Sequence, residues 1–171
     1  MITYQYPKCT QIPGVNEINR EDFHKMMLHR VNDYYQIKYA CLLMNNECYA
    51  IYPNGVQYSR RRMTQLYGTE MTNIIFEFGN KFNELKLNNQ EHALLFPINV
   101  CNEDETLEDQ ETIRSIRVCY LYALYTQMCT TRKKEDAEIL FEQLSTVLEL
   151  LKPLNAMYEE SNGNFLVPKT D

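Results

Sequence analysis

The stretch Asn73 to Val100, NIIFEFGNKFNELKLNNQEHALLFPINV, constrains the fold more than any other part of the chain. Ile75, Phe78, Phe82 and Leu85 recur at i, i+3, i+7 and i+10, which places them on one face of a helix. After Leu87 the pattern restarts. The side chain of Asn88 is suited to accept from the free backbone N–H groups of a new first turn, and Glu91 reaches back to the cap residue's own N–H. The second helix continues through Ala93, Leu94, Leu95, Ile98 and Val100 with so few polar positions that burial nearly all round is expected. Pro97 removes one helical hydrogen bond, so a bend is expected near residues 93 to 97.

Two helices meeting at a corner, one of them central, need other helices to cover them. A chain of 171 residues supplies enough for one domain, and 13 tyrosines against 5 glycines favour packed helices over a turn-rich β fold. The fold class expected is all-α, a layered helical sandwich with one short β-hairpin. Its net charge of −6 is a poor match for a phosphate backbone, and the one basic run, Arg60 to Arg62, reads as a solvated helix start. No nucleic-acid partner is expected for this segment. The six cysteines, Cys9, Cys41, Cys48, Cys101, Cys119 and Cys129, show neither a CxxC nor a histidine at metal spacing. They read as buried free thiols, with no metal site. No apolar run approaches the roughly 20 residues that cross a bilayer, so no membrane partner is expected and the segment reads as soluble and intracellular.

Pro7, Pro13 and Gly14 keep residues 1 to 19 irregular, and Asn19, with Asp22 three residues on, caps a helix predicted from Arg20 to about Met44. Asn45 and Asn46 can close it in the left-handed conformation. In ECYAIYPNGVQYS, Pro53-Asn54-Gly55 predicts a turn between strands at about Cys48 to Tyr52 and Val56 to Tyr58. A short helix, Arg60 to Tyr67, ends at Gly68. Residues 102 to 111 form an acidic loop before a helix from about Gln110 to Thr130, with Ile113, Ile116, Tyr120, Ala123, Leu124 and Met128 inward. Thr131 to Lys134 is a polar turn. From Glu135, the residues Ala137, Leu140, Phe141, Leu144, Val147, Leu148, Leu151 and Leu154 predict one last helix with a seam for a partner, inside the domain or across a dimer, interrupted at Pro153. It stops near Asn162-Gly163.

Chemistry is sparse. His24, His29 and His92 form no local nucleophile signature, no glycine-rich phosphate loop is present, and the carboxylates sit in solvated runs. An enzyme is not indicated. The row Tyr34, Tyr35 and Tyr39 suits a core or a wall against a hydrophobic ligand. Residue patterns lead as far as a helical binding or interaction module.

The order of elements, and the residues on them, resemble the ligand-binding domain of nuclear hormone receptors. Ile12-Pro13-Gly14-Val15, followed seven residues after Val15 by Asp22-Phe23, is similar to the family signature IPGF and then DQ at the same separation. Asp33, Lys38 and Tyr58-Ser59 continue the match. Phe76-Glu77-Phe78, Lys81, Asn83, Leu85, Leu87 and Glu91 resemble the seventh and eighth helices, and Leu140-Phe141 through Leu154-Asn155, Met157 and Val167 resemble the last long helix. The subgroup of closest resemblance is the Rev-erb and ecdysone-induced early-gene receptors. The resemblance covers about residues 10 to 167.

What the resemblance implies is a nuclear transcription regulator that works through protein contacts. Residues 1 to 171 would be a single partial domain lacking the first helices and the activation helix, with 1 to 19 the irregular tail of the third helix and 168 to 171 a disordered tail. A lipophilic small molecule would sit near Tyr34, Tyr35, Lys38, Phe78, Met157 and Tyr158. Coregulator peptides would use a groove at Thr10, Arg20, Phe23, His24 and Met27, and a receptor heterodimer partner would use Leu144, Val147, Leu148 and Leu151. Three departures bear on these roles. Thr10 and Leu28 replace lysines that hold the ends of a bound helix, Phe23 replaces the signature glutamine, and Glu105 reverses a dimer-loop arginine. The haem-ligating histidine of the subgroup falls on Tyr158 and its cysteine has no counterpart, so haem is allowed but not favoured and no cofactor is assigned. The missing activation helix favours repression over ligand-driven activation; the alternatives are a haem or lipid sensor module and a truncated dominant-negative interaction domain.

Overall fold

The structure, a computed structural model, describes residues 13 to 51 and 55 to 160. Thr10, the turn residues Pro53 and Asn54, and the end of the chain from Ser161, with Asn162-Gly163, Val167 and the 168 to 171 tail, lie outside them. The described residues are all-α apart from one small two-stranded ribbon: α1 Arg20–Tyr39, β1 Leu43–Met44, β2 Glu47–Cys48, α2 Arg60–Glu84, α3 Asn89–Val100, α4 Gln110–Thr131, α5 Lys134–Leu148 and α6 Leu151–Glu160. They form two compact units. Among the described residues, one holds 13 to 31 together with 88 to 133, the other holds 32 to 51 and 55 to 87 together with 134 to 160.

In the first unit, a 3-10 turn at Val15–Glu17 leads into α1, whose first turn is capped by Asn19 accepting from the Asp22 N–H at 2.8 Å. Val15, Ile18 and Met26 pack with Val100, Cys101, Leu107, Ile113 and Ile116 in one apolar cluster. α3 starts as its sequence predicts. Asn88 accepts from the N–H groups of Gln90 and Glu91, both at 2.9 Å, while Glu91 accepts from the Asn88 N–H at 2.8 Å. Burial all round holds only for its second half: Leu95, Pro97, Ile98 and Val100 are buried, but His92 and Ala93 in the first turns are exposed. α4 is capped by Asp109 and turns Ile113, Ile116, Leu124 and Met128 inward.

In the second unit the structure departs from expectation at the end of α1. The helix stops at Tyr39, Ala40–Leu42 is a 3-10 turn, and Leu43 and Met44 pair with Cys48 and Glu47. Asn45 and Asn46 are left-handed, with φ of 52° and 63°, as a two-residue type I′ hairpin requires. They turn a ribbon rather than close a helix. At the predicted site of the hairpin the described residues show one bridge, Ile51 to Gln57, and a bond from the Tyr58 N–H to the Ala50 carbonyl at 2.8 Å. The Asn83 side-chain amide donates to two carbonyls of the 3-10 turn and ribbon, those of Ala40 and Leu43, at 2.8 and 2.9 Å, the former already accepting from the Leu43 N–H.

α2 breaks where the sequence places the break. Gly68 has φ 81° and ψ 166°, outside the helical region and open to glycine without a Cβ clash. Farther along, the ribbon lies on α2 at Gly79, where an added Cβ would come within 2.5 Å of Leu43 Cδ1 and 3.0 Å of its Cβ. Gly79→Ala should therefore overpack this contact and lower stability by about 1 to 3 kcal/mol. A thermal melt unchanged by the substitution would show that Leu43 moves aside freely.

The single last helix is in fact two. α5 ends at Leu148 and α6 begins at Leu151, because the ring of Pro153 would clash with the carbonyl of Glu149 if the helix ran through. Proline is tolerated in the first turn of α6, where its missing N–H would be unpaired anyway. Ala137, Leu140, Leu144, Val147, Leu151 and Leu154 are buried, with α2 packing against both α5 and α6. The seam is filled inside this unit.

Candidate functional site

The first half of α1 presents two working faces. Arg20, Phe23, His24 and Met27 fall at i, i+3, i+4 and i+7 on one stripe. Phe23 and Met27 are half-buried, packed against the apolar cluster of the first unit, while Arg20 and His24 are exposed. Leu28 beside them is 59% exposed. Four of the five residues expected in a coregulator groove are thus brought together, an apolar floor with polar edges; Thr10 is the fifth, outside the described residues.

The other face of α1 is held by the acidic loop before α4. The Asp22 carboxylate, 0% exposed, accepts from the N–H of Glu108 at 3.0 Å, the N–H of Asp109 at 2.9 Å and the amide of Asn19 at 2.9 Å. Lys25 donates to the Thr106 carbonyl at 3.2 Å, the His29 ring lies 2.6 Å from the Asp104 carboxylate, and Arg30 donates to the Glu103 carbonyl at 3.1 Å. Residues 103 to 109 therefore run back along α1 as a strap. Burial would raise the Asp22 carboxyl, but the N–H groups of Asp109 and Glu108, with Asn19 and Lys25, hold it below the ordinary range. Burial likewise opposes ionisation of Asp104, yet the Thr106 hydroxyl and the His29 ring bring it down to about 2. Glu105 points to solvent.

A second element fixes the frame behind this face. Glu91, 0% exposed, receives both guanidinium nitrogens of Arg132, one of them at 3.2 Å, in addition to the Asn88 N–H. Arg132, at the end of α4, is far more than part of a polar turn: it neutralises the carboxylate that caps α3.

The ligand-pocket candidates all lie in the second unit and are less coherent. Phe78 is wholly buried and stacks on Phe82, with ring centroids 5.4 Å apart. Tyr34 and Tyr35 are half-buried and meet edge to face at 5.3 Å. Lys38 is exposed, its Nζ 5.3 Å from the ring centroids of both Tyr34 and Tyr39, and the bond to Tyr34, against the opposing effect of burial, raises its pKa. One candidate is thus core and another surface. Met157 and Tyr158 are half-buried on α6, which is tied to α1 by Asn155 accepting from Asn32 and donating to buried Asp33. Of the dimer-face candidates, Leu144, Val147 and Leu151 are buried as core positions, and Leu148 is half-buried.

The cysteines divide by place. Cys48 and Cys101 are buried, and burial pushes the Cys101 thiol up to about 11, so it stays protonated. Cys41 and Cys119 are exposed and Cys129 half-buried, contrary to the expectation that all are buried. No helix among the described residues is long and apolar enough to cross a membrane.

No family model matches the chain. Over 151 residues it is 22% identical to nuclear receptor subfamily 1 group D member 2 of Rattus norvegicus. The chain is similar to a nuclear receptor. The match takes in 88% of this chain and 26% of that protein, so the chain spans about a quarter of its relative's length. The similarity supports a nuclear-receptor-like domain.

Proposed function

We propose that the chain is a ligand-binding-type domain of a nuclear-receptor-like transcription regulator, acting in the nucleus through protein partners and favouring repression. The observation that carries this reading is the α1 stripe, in a chain similar to a nuclear receptor over 88% of its length. Half-exposed Phe23 and Met27 between exposed Arg20 and His24 offer what an amphipathic helix needs: an apolar trough one or two side chains deep, bordered by polar groups. Exposed Leu28, where the family has a lysine, leaves one end of the trough without a charge to hold the terminus of a bound helix. Selectivity for longer apolar helices, whose hold does not depend on that charge, follows from it.

The test is fluorescence polarisation with a labelled amphipathic peptide carrying leucines at i, i+3 and i+4. The full chain should bind it, Phe23→Asp and Met27→Glu should each weaken binding at least tenfold, and Leu28→Lys should tighten it. Binding that ignores Phe23→Asp and Met27→Glu, in variants that melt like the parent, would remove the groove from the proposal.

A further inference from the structure

Thr106 is the one hydroxyl side chain of the strap, and its setting is unlike that of the other described serines and threonines. Among the described residues only Ser59 and Thr106 stand outside the helices. Thr64, Ser115, Ser145 and Thr146 each donate to the carbonyl four residues back in their own helix. Ser59 caps α2, accepting from the Arg62 N–H, and three arginines follow it. Thr106 is exposed in a turn, with Glu103, Asp104 and Glu105 directly before it, Glu108 and Asp109 close behind, and no lysine or arginine from 102 to 113.

We propose that Thr106 is a phosphorylation site for a protein kinase of the acidophilic class, and that the modification unfastens the strap from α1. Such a kinase holds its substrate with cationic side chains, so acids on both sides of the hydroxyl attract it, whereas the arginines after Ser59 repel it. In the reaction the Thr106 oxygen bonds to the γ-phosphorus of ATP, the bond from that phosphorus to the β-phosphate oxygen breaks, ADP leaves, and the hydroxyl proton passes to the kinase's own base. The kinase must draw the residues around Thr106 into an extended form. Leu107, buried behind the turn, and the bonds of Asp22 to the N–H groups of Glu108 and Asp109 oppose this, so the substrate is the strap in its locally opened state.

The consequence follows from what the hydroxyl does in the unmodified chain. Thr106 Oγ1 donates to Asp104 Oδ1 at 2.7 Å and the Thr106 N–H donates to the same oxygen at 2.9 Å, while Asp104 Oδ2 lies 2.6 Å from the His29 ring. A phosphoryl group removes the hydroxyl donor and sets a charge of about −2 beside an ionised carboxylate. Lys25, bonded to the Thr106 carbonyl at 3.2 Å, also faces Glu21 at 3.4 Å and cannot offset both anions. Thr106 and Asp104 therefore part. Because Asp104 is the strap's link to His29, its hold on α1 weakens with them.

The test is phosphate transfer from radiolabelled ATP to the full chain by a purified acidophilic serine/threonine kinase, with the site read by mass spectrometry. Label should fall on Thr106, vanish in Thr106→Ala and return in Thr106→Ser. Glu105→Gln combined with Glu108→Gln, both at exposed positions, should slow transfer at least tenfold without moving the melt. Asp22→Asn, which frees the strap, should speed it severalfold. Hydrogen exchange at the Thr106 and Leu107 amides, the second of which donates to the Asp104 carbonyl at 3.2 Å, should be at least tenfold faster in the phosphorylated chain. Label that persists in Thr106→Ala, transfer indifferent to the two glutamines, no transfer even to Asp22→Asn, or strap amides that exchange no faster after modification would each overturn the proposal.

Discussion

Arg132→Met should lower the stability of the chain by about 3 to 5 kcal/mol, the cost of leaving a buried carboxylate without its counter-charge. Glu91 is 0% exposed and carries three jobs with two oxygens: it accepts from the Asn88 N–H, binds one guanidinium nitrogen of Arg132 and shares in the other. Methionine fills the volume of the arginine stem but cannot offset the desolvation of the anion, so either Glu91 takes up a proton or water enters beside α3. For a chain of this size the change corresponds to a fall in Tm of roughly 10 °C. Adding Glu91→Gln to Arg132→Met should restore a substantial part of the loss, since a neutral amide still accepts from the Asn88 N–H and no charge is then buried alone. Arg114→Met is the control. It breaks an ion pair whose partners are both mostly exposed, and should change stability by no more than about 0.5 kcal/mol. Equal melts for Arg132→Met and Arg114→Met would mean that Glu91 is not confined as described.

What the sequence displayed and what it concealed separate by range. The start of α3 was legible because a capping box is written in four adjacent residues, Asn88 to Glu91, and the break in α2 because Gly68 is tolerant of a conformation other residues avoid. The end of α1 was not. Ala40 to Met44 reads as helix by composition, and left-handed asparagines serve a helix end and a type I′ hairpin equally well. What decides is Asn83, some forty residues away, which captures the Ala40 and Leu43 carbonyls and fixes the ribbon on α2. The candidate site follows the same rule. The stripe Arg20, Phe23, His24 and Met27 is a matter of helical spacing, but the strap that holds the opposite side of α1 is built from bonds spanning 73 to 87 residues. A run of acids at 103 to 109 suggested only a favourable approach to the α4 dipole; its pairing with Lys25, His29 and Arg30 leaves no local pattern. Arg132 was hidden for the same reason, 41 residues from Glu91.

Asp22→Asn should cost about 2 to 4 kcal/mol at neutral pH, because an amide has one acceptor oxygen where the carboxylate has two, and its NH2 would face N–H donors. The N–H groups of Glu108 and Asp109 and the amide of Asn19 converge on Asp22 from two elements, so the loss frees the start of α4 as well as weakening the first turn of α1. The substitution should also alter the response to acid. Asp22 and Asp104 are both held below their ordinary pKa in the folded chain, Asp104 at about 2. Groups shifted in that direction contribute stability that is fully present above the unfolded value, about 4, and is lost as pH falls through the folded value. Parent stability should therefore drop between about pH 4 and pH 2 as the strap lets go, and the drop should be shallower in Asp22→Asn, which has already lost one of the two titrating anchors. Urea melts at pH 7, 4, 3 and 2, together with hydrogen exchange of the Glu108 and Asp109 amides, measure both effects. Amides that exchange no faster in Asp22→Asn than in the parent would mean that the loop is held by Lys25, His29 and Arg30 without need of the carboxylate.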